Sequence, residues 1–152
     1  MSELHAWERK GFARSPEYRI SVGDELVFRV SGRRIGEPGQ WFSPLECPRF
    51  AFFEAEAFGA AFNPPRSVLE AELRLNIALY GNRAFHLGTY RIRPDVGYWI
   101  GRVAHDARDD SRVDRTAIQI YFEYTAVGKV DRVKDFVPLR QDSLVYPSTG
   151  NS

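Results

Sequence analysis

The sequence predicts a mainly β, α+β domain: short twisted antiparallel strands around a ligand cleft, with one or two helices. Three observations carry this. Six to eight short runs alternate apolar and polar residues or are rich in β-branched and aromatic residues, and turn residues bound them. One stretch, 49–61, has apolar residues at near-helical spacing. The 152 residues are 43% hydrophobic and 27% charged, which suits one soluble domain with a real core.

Residues 1–16 form an N-terminal arm or linker, a short helix or a piece of a longer parent, with Trp7 and Phe12 as docking aromatics. Residues 17–140 form the domain, and 141–152 a loose tail. Within the domain, 18–22 (YRISV) is a strand, Gly23-Asp24 a turn and 25–31 a second strand. Pro48 suits a helix start over 49–61, and Phe50, Phe53, Ala57 and Phe58 form its core face. Residues 68–80 are ambiguous. Glu70 and Arg74 sit at helical ion-pair spacing, but Leu73, Leu75, Ile77 and Leu79 have a period of two, so an extended element is expected from Val68 onward. Residues 85–94 are a strand with Gly88 as a candidate bulge, and 98–104 another. Residues 105–116 are charged and aperiodic, hence a solvated loop. Residues 117–127 (AIQIYFEYTAV) carry the strongest strand signal in the chain. Residues 130–139 are an edge strand that tolerates Pro138.

Composition excludes several function classes. The net charge is +1, so bulk electrostatics gives no strong nucleic-acid signal. Cys47 is the single cysteine, so neither an internal disulfide framework nor a cysteine-rich zinc site is expected. His86 and His105 have no metal-ligand spacing and read as surface residues, so no metal is expected. No run approaches the roughly 18 apolar residues that span a bilayer. The N-terminus lacks the apolar core of a signal peptide.

Two constellations carry chemistry. In the first, a strand delivers Arg29 into a glycine-rich loop, 32–39, that also holds Arg33 and Arg34, and the chain then runs into Trp41-Phe42-Ser43-Pro44. An arginine forks onto phosphate oxygens, glycines let backbone N–H groups approach the same oxygens, and aromatics stack on a ring. An anionic ligand with a flat ring fits, although a plain strand–loop–strand unit with a core Trp gives the same pattern. In the second, the period of two over 117–127 puts Gln119, Tyr121 and Glu123 on one face. It puts Ile118, Ile120, Phe122 and Tyr124 on the other, core face.

The order of these features resembles the NAD-cleaving toxin domains of the ADP-ribosyltransferase and NAD glycohydrolase superfamily, of the tuberculosis-necrotizing-toxin type found at the C-termini of bacterial polymorphic toxins. The likeness rests on Arg29, the 32–39 loop and Trp41-Phe42-Ser43-Pro44. It extends through Gly88-Thr89-Tyr90-Arg91-Ile92 and Gly101-Arg102-Val103-Ala104 to Ile118-Gln119-Ile120-Tyr121. The family's glycine-rich lead-in to the glutamine is replaced here by Arg115-Thr116-Ala117. The resemblance implies an NAD glycohydrolase that releases nicotinamide and ADP-ribose, with NAD as substrate and no metal. It implies Arg29, Gln119 and Glu123 as catalytic residues. It implies Arg33, Arg34, Trp41, Phe42 and Ser43 as NAD-binding residues. It further implies action in the cytoplasm of a cell into which the toxin is delivered, and a neutralising immunity protein as partner. Two alternatives stay open: an ADP-ribosyltransferase acting on a protein or nucleotide, and a non-enzymatic β-rich binding or immunity-type module. Tyr121, standing two residues before Glu123 where a carboxylate would favour arginine transfer, leans towards hydrolysis.

Overall fold

The computed structural model of the 152-residue chain describes residues 9, 11–31, 39–45, 50, 63–74, 85–104 and 117–140. Its strands are β1 (Glu17–Ile20), β2 (Leu26–Ser31), β3 (Trp41–Pro44), β4 (His86–Ile92), β5 (Gly97–Arg102), β6 (Ile118–Tyr121), β7 (Val130–Arg132) and β8 (Val137–Pro138). A helix, α1 (Val68–Arg74), and a 3-10 helix (Tyr124–Lys129) complete the described elements. The eight strands form one open sheet in the order β1-β5-β6-β3-β2-β4-β7, with β8 also on β4, and the strand pairs are antiparallel. The mainly β, α+β architecture expected from the sequence is the one the chain adopts.

Connectivity forces this sheet to curl. β4 and β5 are joined by only four residues, 93–96, yet four ladder steps separate them in the strand order. In a flat sheet that is on the order of 19 Å sideways, with a further displacement along the strands. The two ends meet instead. Ser21 N–H donates to Val96 C=O at 2.8 Å and Asp95 N–H to Ser21 C=O at 2.9 Å. The Ser21 hydroxyl donates to Arg93 C=O and accepts from Val96 N–H at 2.8 Å. Gly23 (φ 102°) and Asp95 (φ 64°) take the left-handed conformation in the two facing turns. Glu25 is fully buried behind them and accepts the N–H groups of Val22 at 3.1 Å and Gly23 at 3.0 Å.

The register assigns every strand residue to a face. The concave face holds Val27, Phe42, Ile92, Tyr98, Ile100, Ile118 and Ile120, which pack with Phe50, Val96 and Phe122 into the main core. Phe42 meets Tyr90 and Phe122 edge-on, at 5.2 and 5.3 Å between ring centroids. Full burial of one such aromatic contributes roughly 2–3 kcal/mol. The convex face is covered in two patches. Val68 and Ala71 of α1 lie over Phe28 and Leu87, and Phe12 lies over Trp99 and Tyr121.

Local chemistry explains where sequence expectations give way. Val68–Arg74 is helical, not extended. The Ser67 hydroxyl caps it by accepting Glu70 N–H at 3.1 Å, a Ser-x-x-Glu start that outweighs the alternation beginning at Leu73. Residues 75–80 lie outside the described residues, as does the expected helix at 49–61 apart from Phe50, which is buried. The strand expected over 117–127 stops at Tyr121. The chain turns at Glu123 into the 3-10 helix, and Tyr124 is 79% exposed instead of buried. Gly88 is no bulge, because the β2–β4 register runs through it unbroken. The 130–139 edge strand is split into β7 and β8.

Replacing Glu25 with Ala leaves two backbone N–H groups at the closing turn without their acceptor. We expect a loss of about 1–3 kcal/mol, measured by denaturant unfolding, and a smaller loss for Glu25→Gln. A Glu25→Ala variant as stable as the parent would remove this turn from the account of closure.

Candidate functional site

The candidate residues divide between the two faces of the sheet. Trp41 is opposite Tyr121, and Ser43 opposite Phe28; with Gln119, two residues before Tyr121, they stand on the convex face. Arg29 is opposite Gly88, and Phe42 opposite Ile120; both stand on the concave face. Trp41 and Phe42 are neighbours in β3 and therefore point opposite ways. Arg29 does not converge on one cleft with Trp41 and Gln119, since the sheet itself lies between them. Arg33 and Arg34 lie outside the described residues.

The convex group is covered. The Gln119 amide donates to Gly11 C=O. A Cβ on Gly11 would come within 2.6 Å of the Trp41 ring, so the backbone of the N-terminal segment lies directly on the indole. Trp41 is further held by Tyr121 at 4.6 Å and Phe12 at 5.5 Å between ring centroids. Ser43 is buried. In this state Gln119 and Trp41 fasten residues 11–13 to the sheet, helped by Ala13 N–H donating to Arg102 C=O at 2.9 Å and Ala104 N–H to Gly11 C=O at 3.0 Å.

The concave group gathers at one end of the curled sheet. Arg29 is half-buried there, and its guanidinium lies against Gly39, where an added Cβ would come within 2.3 Å of Nε. Tyr90 lies on the same face. Burial pushes the Tyr90 phenol above its ordinary value, and the charges of Arg29 and Arg132 pull it partly back. The phenol therefore stays a neutral donor around pH 7. Arg132 is the register partner of Tyr90 and rests over the Phe136 ring at 4.6 Å. Ser31 and His86, opposite each other on β2 and β4, finish the row.

Glu123 reaches the same end by a different route. The β3–β6 ladder runs one step past β6, with Phe122 N–H donating to Gln40 C=O at 2.9 Å. The Gln40 side chain locks this step by donating to the Tyr121 hydroxyl at 2.9 Å and to Phe122 C=O at 3.1 Å. Glu123 leaves the sheet beside Gln40, and Gly39, on the other side of Gln40, carries the Arg29 guanidinium. Gln40 thus stands between Gly39, on which the Arg29 guanidinium rests, and the ladder step that leads to Glu123, although nothing in the sequence marks it as a site residue.

Ser31, Tyr90 and Arg132 are not candidates from the sequence, where His86 reads as a surface residue. The signal lay in the alternation: Arg29 and Ser31 are two apart on one strand, and His86, Gly88 and Tyr90 are two apart on another. Only the register shows that the two sets face each other. Among the described residues no group of His, Cys, Asp and Glu is arranged to hold a metal ion, and no helix is long and apolar enough to cross a membrane. Comparison of the chain with protein-family models, curated proteins and solved structures found no match.

The covering of the convex face makes Gln119→Ala a test of its role there. We expect a loss of about 1 kcal/mol and faster proteolysis near residues 11–13. Unchanged stability and protease resistance would show that the amide does not hold the segment.

Proposed function

We propose that this domain binds NAD at the mouth of its curled sheet and cleaves the nicotinamide–ribose bond, giving nicotinamide and ADP-ribose. The observation that carries this reading is Arg29, half-buried on the concave face, with its guanidinium fitted against Gly39 and sharing its field with Tyr90 and Arg132. A guanidinium held away from bulk water binds phosphate oxygens more strongly than one on an open surface, and its planar fork fixes their orientation. The NAD pyrophosphate supplies such oxygens. Mouths of curled sheets are also common sites for small ligands.

The chemistry asks little of the protein beyond positioning. The nicotinamide nitrogen is already cationic in NAD, so the ring departs as a neutral molecule without a general acid. The ribose left behind is oxocarbenium-like, as in other glycoside cleavages. Water adds to the anomeric carbon and releases one proton. Glu123, leaving the sheet near Arg29, is the carboxylate assigned to stabilise the cation. Arg33 and Arg34 lie in sequence between β2 and Gly39, outside the described residues, and are assigned to support the pyrophosphate. Phe42 backs the site from within the core. Trp41, Ser43 and Gln119 belong to the convex face and are assigned no contact with NAD in this arrangement. The reading carries with it a toxin role in the cytoplasm of a target cell and an immunity protein as neutralising partner.

Incubation of the protein with NAD should yield nicotinamide and free ADP-ribose, separable by chromatography. ADP-ribose bound to protein in a lysate, in place of free product, would redirect the reading to a transferase. Intact NAD under both conditions would leave a binding module. Arg29→Lys should lower kcat/KM by about 10²-fold, because lysine keeps the charge and loses the fork, with stability within about 0.5 kcal/mol of the parent. Gly39→Ala should lower it in the same direction by displacing the guanidinium. Unchanged kinetics in both variants would remove Arg29 from the site.

A further inference from the structure

Ser31 and His86 are register partners across β2 and β4, on the face that carries Arg29. The Ser31 hydroxyl and His86 Nδ1 are both buried and neither has a hydrogen-bond partner, and Ser31 is only 6% exposed. Folded proteins pair almost all such atoms, so two unpaired ones side by side on one face call for an explanation. A ligand that accepts from both supplies it. Ser31 offers its O–H and His86, in the appropriate tautomer, an Nδ1–H.

The neighbours define the ligand. Arg29 is two residues from Ser31 on the same face, about 7 Å along the strand. Gly88 lies opposite Arg29 and two residues from His86. A Cβ on Gly88 would come within 2.8 Å of the Tyr90 hydroxyl and 2.9 Å of the Phe136 ring, so the phenol oxygen lies over Gly88, the register partner of Arg29. The polar groups therefore form a strip two residue steps long, with no acidic side chain from β2 or β4 on that face. A single phosphate at Arg29 and Tyr90 leaves Ser31 and His86 unpaired. Two linked phosphates offer acceptors to both pairs.

We infer that Ser31 and His86 form the second half of a diphosphate seat, holding one phosphate while Arg29 and the Tyr90 hydroxyl hold the other. The ligand class is a diphosphate ester of the ADP-ribose type. This inference rests on the reading that Arg29 seats a phosphate.

The test uses the full chain with inorganic pyrophosphate and ADP-ribose, followed by calorimetry and by imidazole NMR. Adding pyrophosphate should shift the one imidazole signal that is missing from His86→Phe, and pyrophosphate should compete with ADP-ribose. The Ser31→Ala/His86→Phe double variant loses no internal hydrogen bond, so its Tm should equal or exceed that of the parent. It should bind ADP-ribose at least about tenfold more weakly. Ser31→Thr should keep the parent's affinity, and Ser31→Ala alone should weaken it. Parent-like binding by the double variant or by Ser31→Ala, or an unmoved His86 signal, would overturn the inference, as would a lowered Tm that reveals internal partners. Pyrophosphate binding that depends on Ser31 and His86 in a protein inert towards NAD would uphold the seat and defeat the cleavage reading. NAD cleavage with the parent's KM in the double variant would do the reverse.

Discussion

The structure depends on the seam where the β1–β2 turn meets the β4–β5 turn. Ser21 joins them through its N–H, its C=O and its hydroxyl, and Glu25 holds the turn behind it. Without that seam the short connections in this strand order are incompatible with burying one face of the sheet. With it, the concave face becomes an interior. Side chains in the middle of that face must be apolar, and Val27, Phe42, Tyr98, Ile100, Ile118, Ile120 and Phe122 meet that requirement, the phenol of Tyr98 apart. Arg29, Ser31 and His86 stand towards one end of that face, past its apolar middle, and the Tyr90 hydroxyl reaches over Gly88 in the same direction. The seam therefore decides both where the core lies and where polar chemistry on this face is possible.

The same curl separates two groups that the linear order runs together. Arg29 and Trp41 flank one loop in sequence, but the pleat sends them to opposite faces. The convex aromatics, Trp41, Trp99 and Tyr121, form a seat for Phe12 and the N-terminal segment. The concave polar groups face one another across β2 and β4. Gln40 connects the two: its backbone extends the β3–β6 ladder towards Glu123, and its side chain ties down the Tyr121 hydroxyl on the convex face.

The fold class was legible because alternation and turn residues are local properties. Ile118, Ile120 and Phe122 could be assigned to the core from a period of two alone, and their burial agrees. Tyr124 followed the same pattern but is exposed, because nothing in the alternation marks where a strand stops. α1 departs from its alternating pattern for a related reason: the Ser67 cap and Glu70 outweigh a run of alternating apolar residues that starts only at its end. The site was legible in part. Arg29 stood out through its glycine-rich neighbourhood. Ser31, His86, Tyr90 and Arg132 are ordinary residues until pairing of β2 with β4 and of β4 with β7 brings them together. Gln119 looked like a ligand contact because alternation shows that a polar face exists, not what covers it.

The central claim is that a diphosphate-bearing ligand occupies the concave mouth and not the convex aromatic face. A crystal structure of the protein soaked with ADP-ribose tests this most directly. The account predicts density for two phosphates between the Arg29 guanidinium, the Tyr90 hydroxyl, Ser31 and His86, with residues 11–13 still seated on Trp41 and Gln119. Density for ADP-ribose against Trp41 and Gln119, with residues 11–13 displaced and the mouth unchanged, would contradict it.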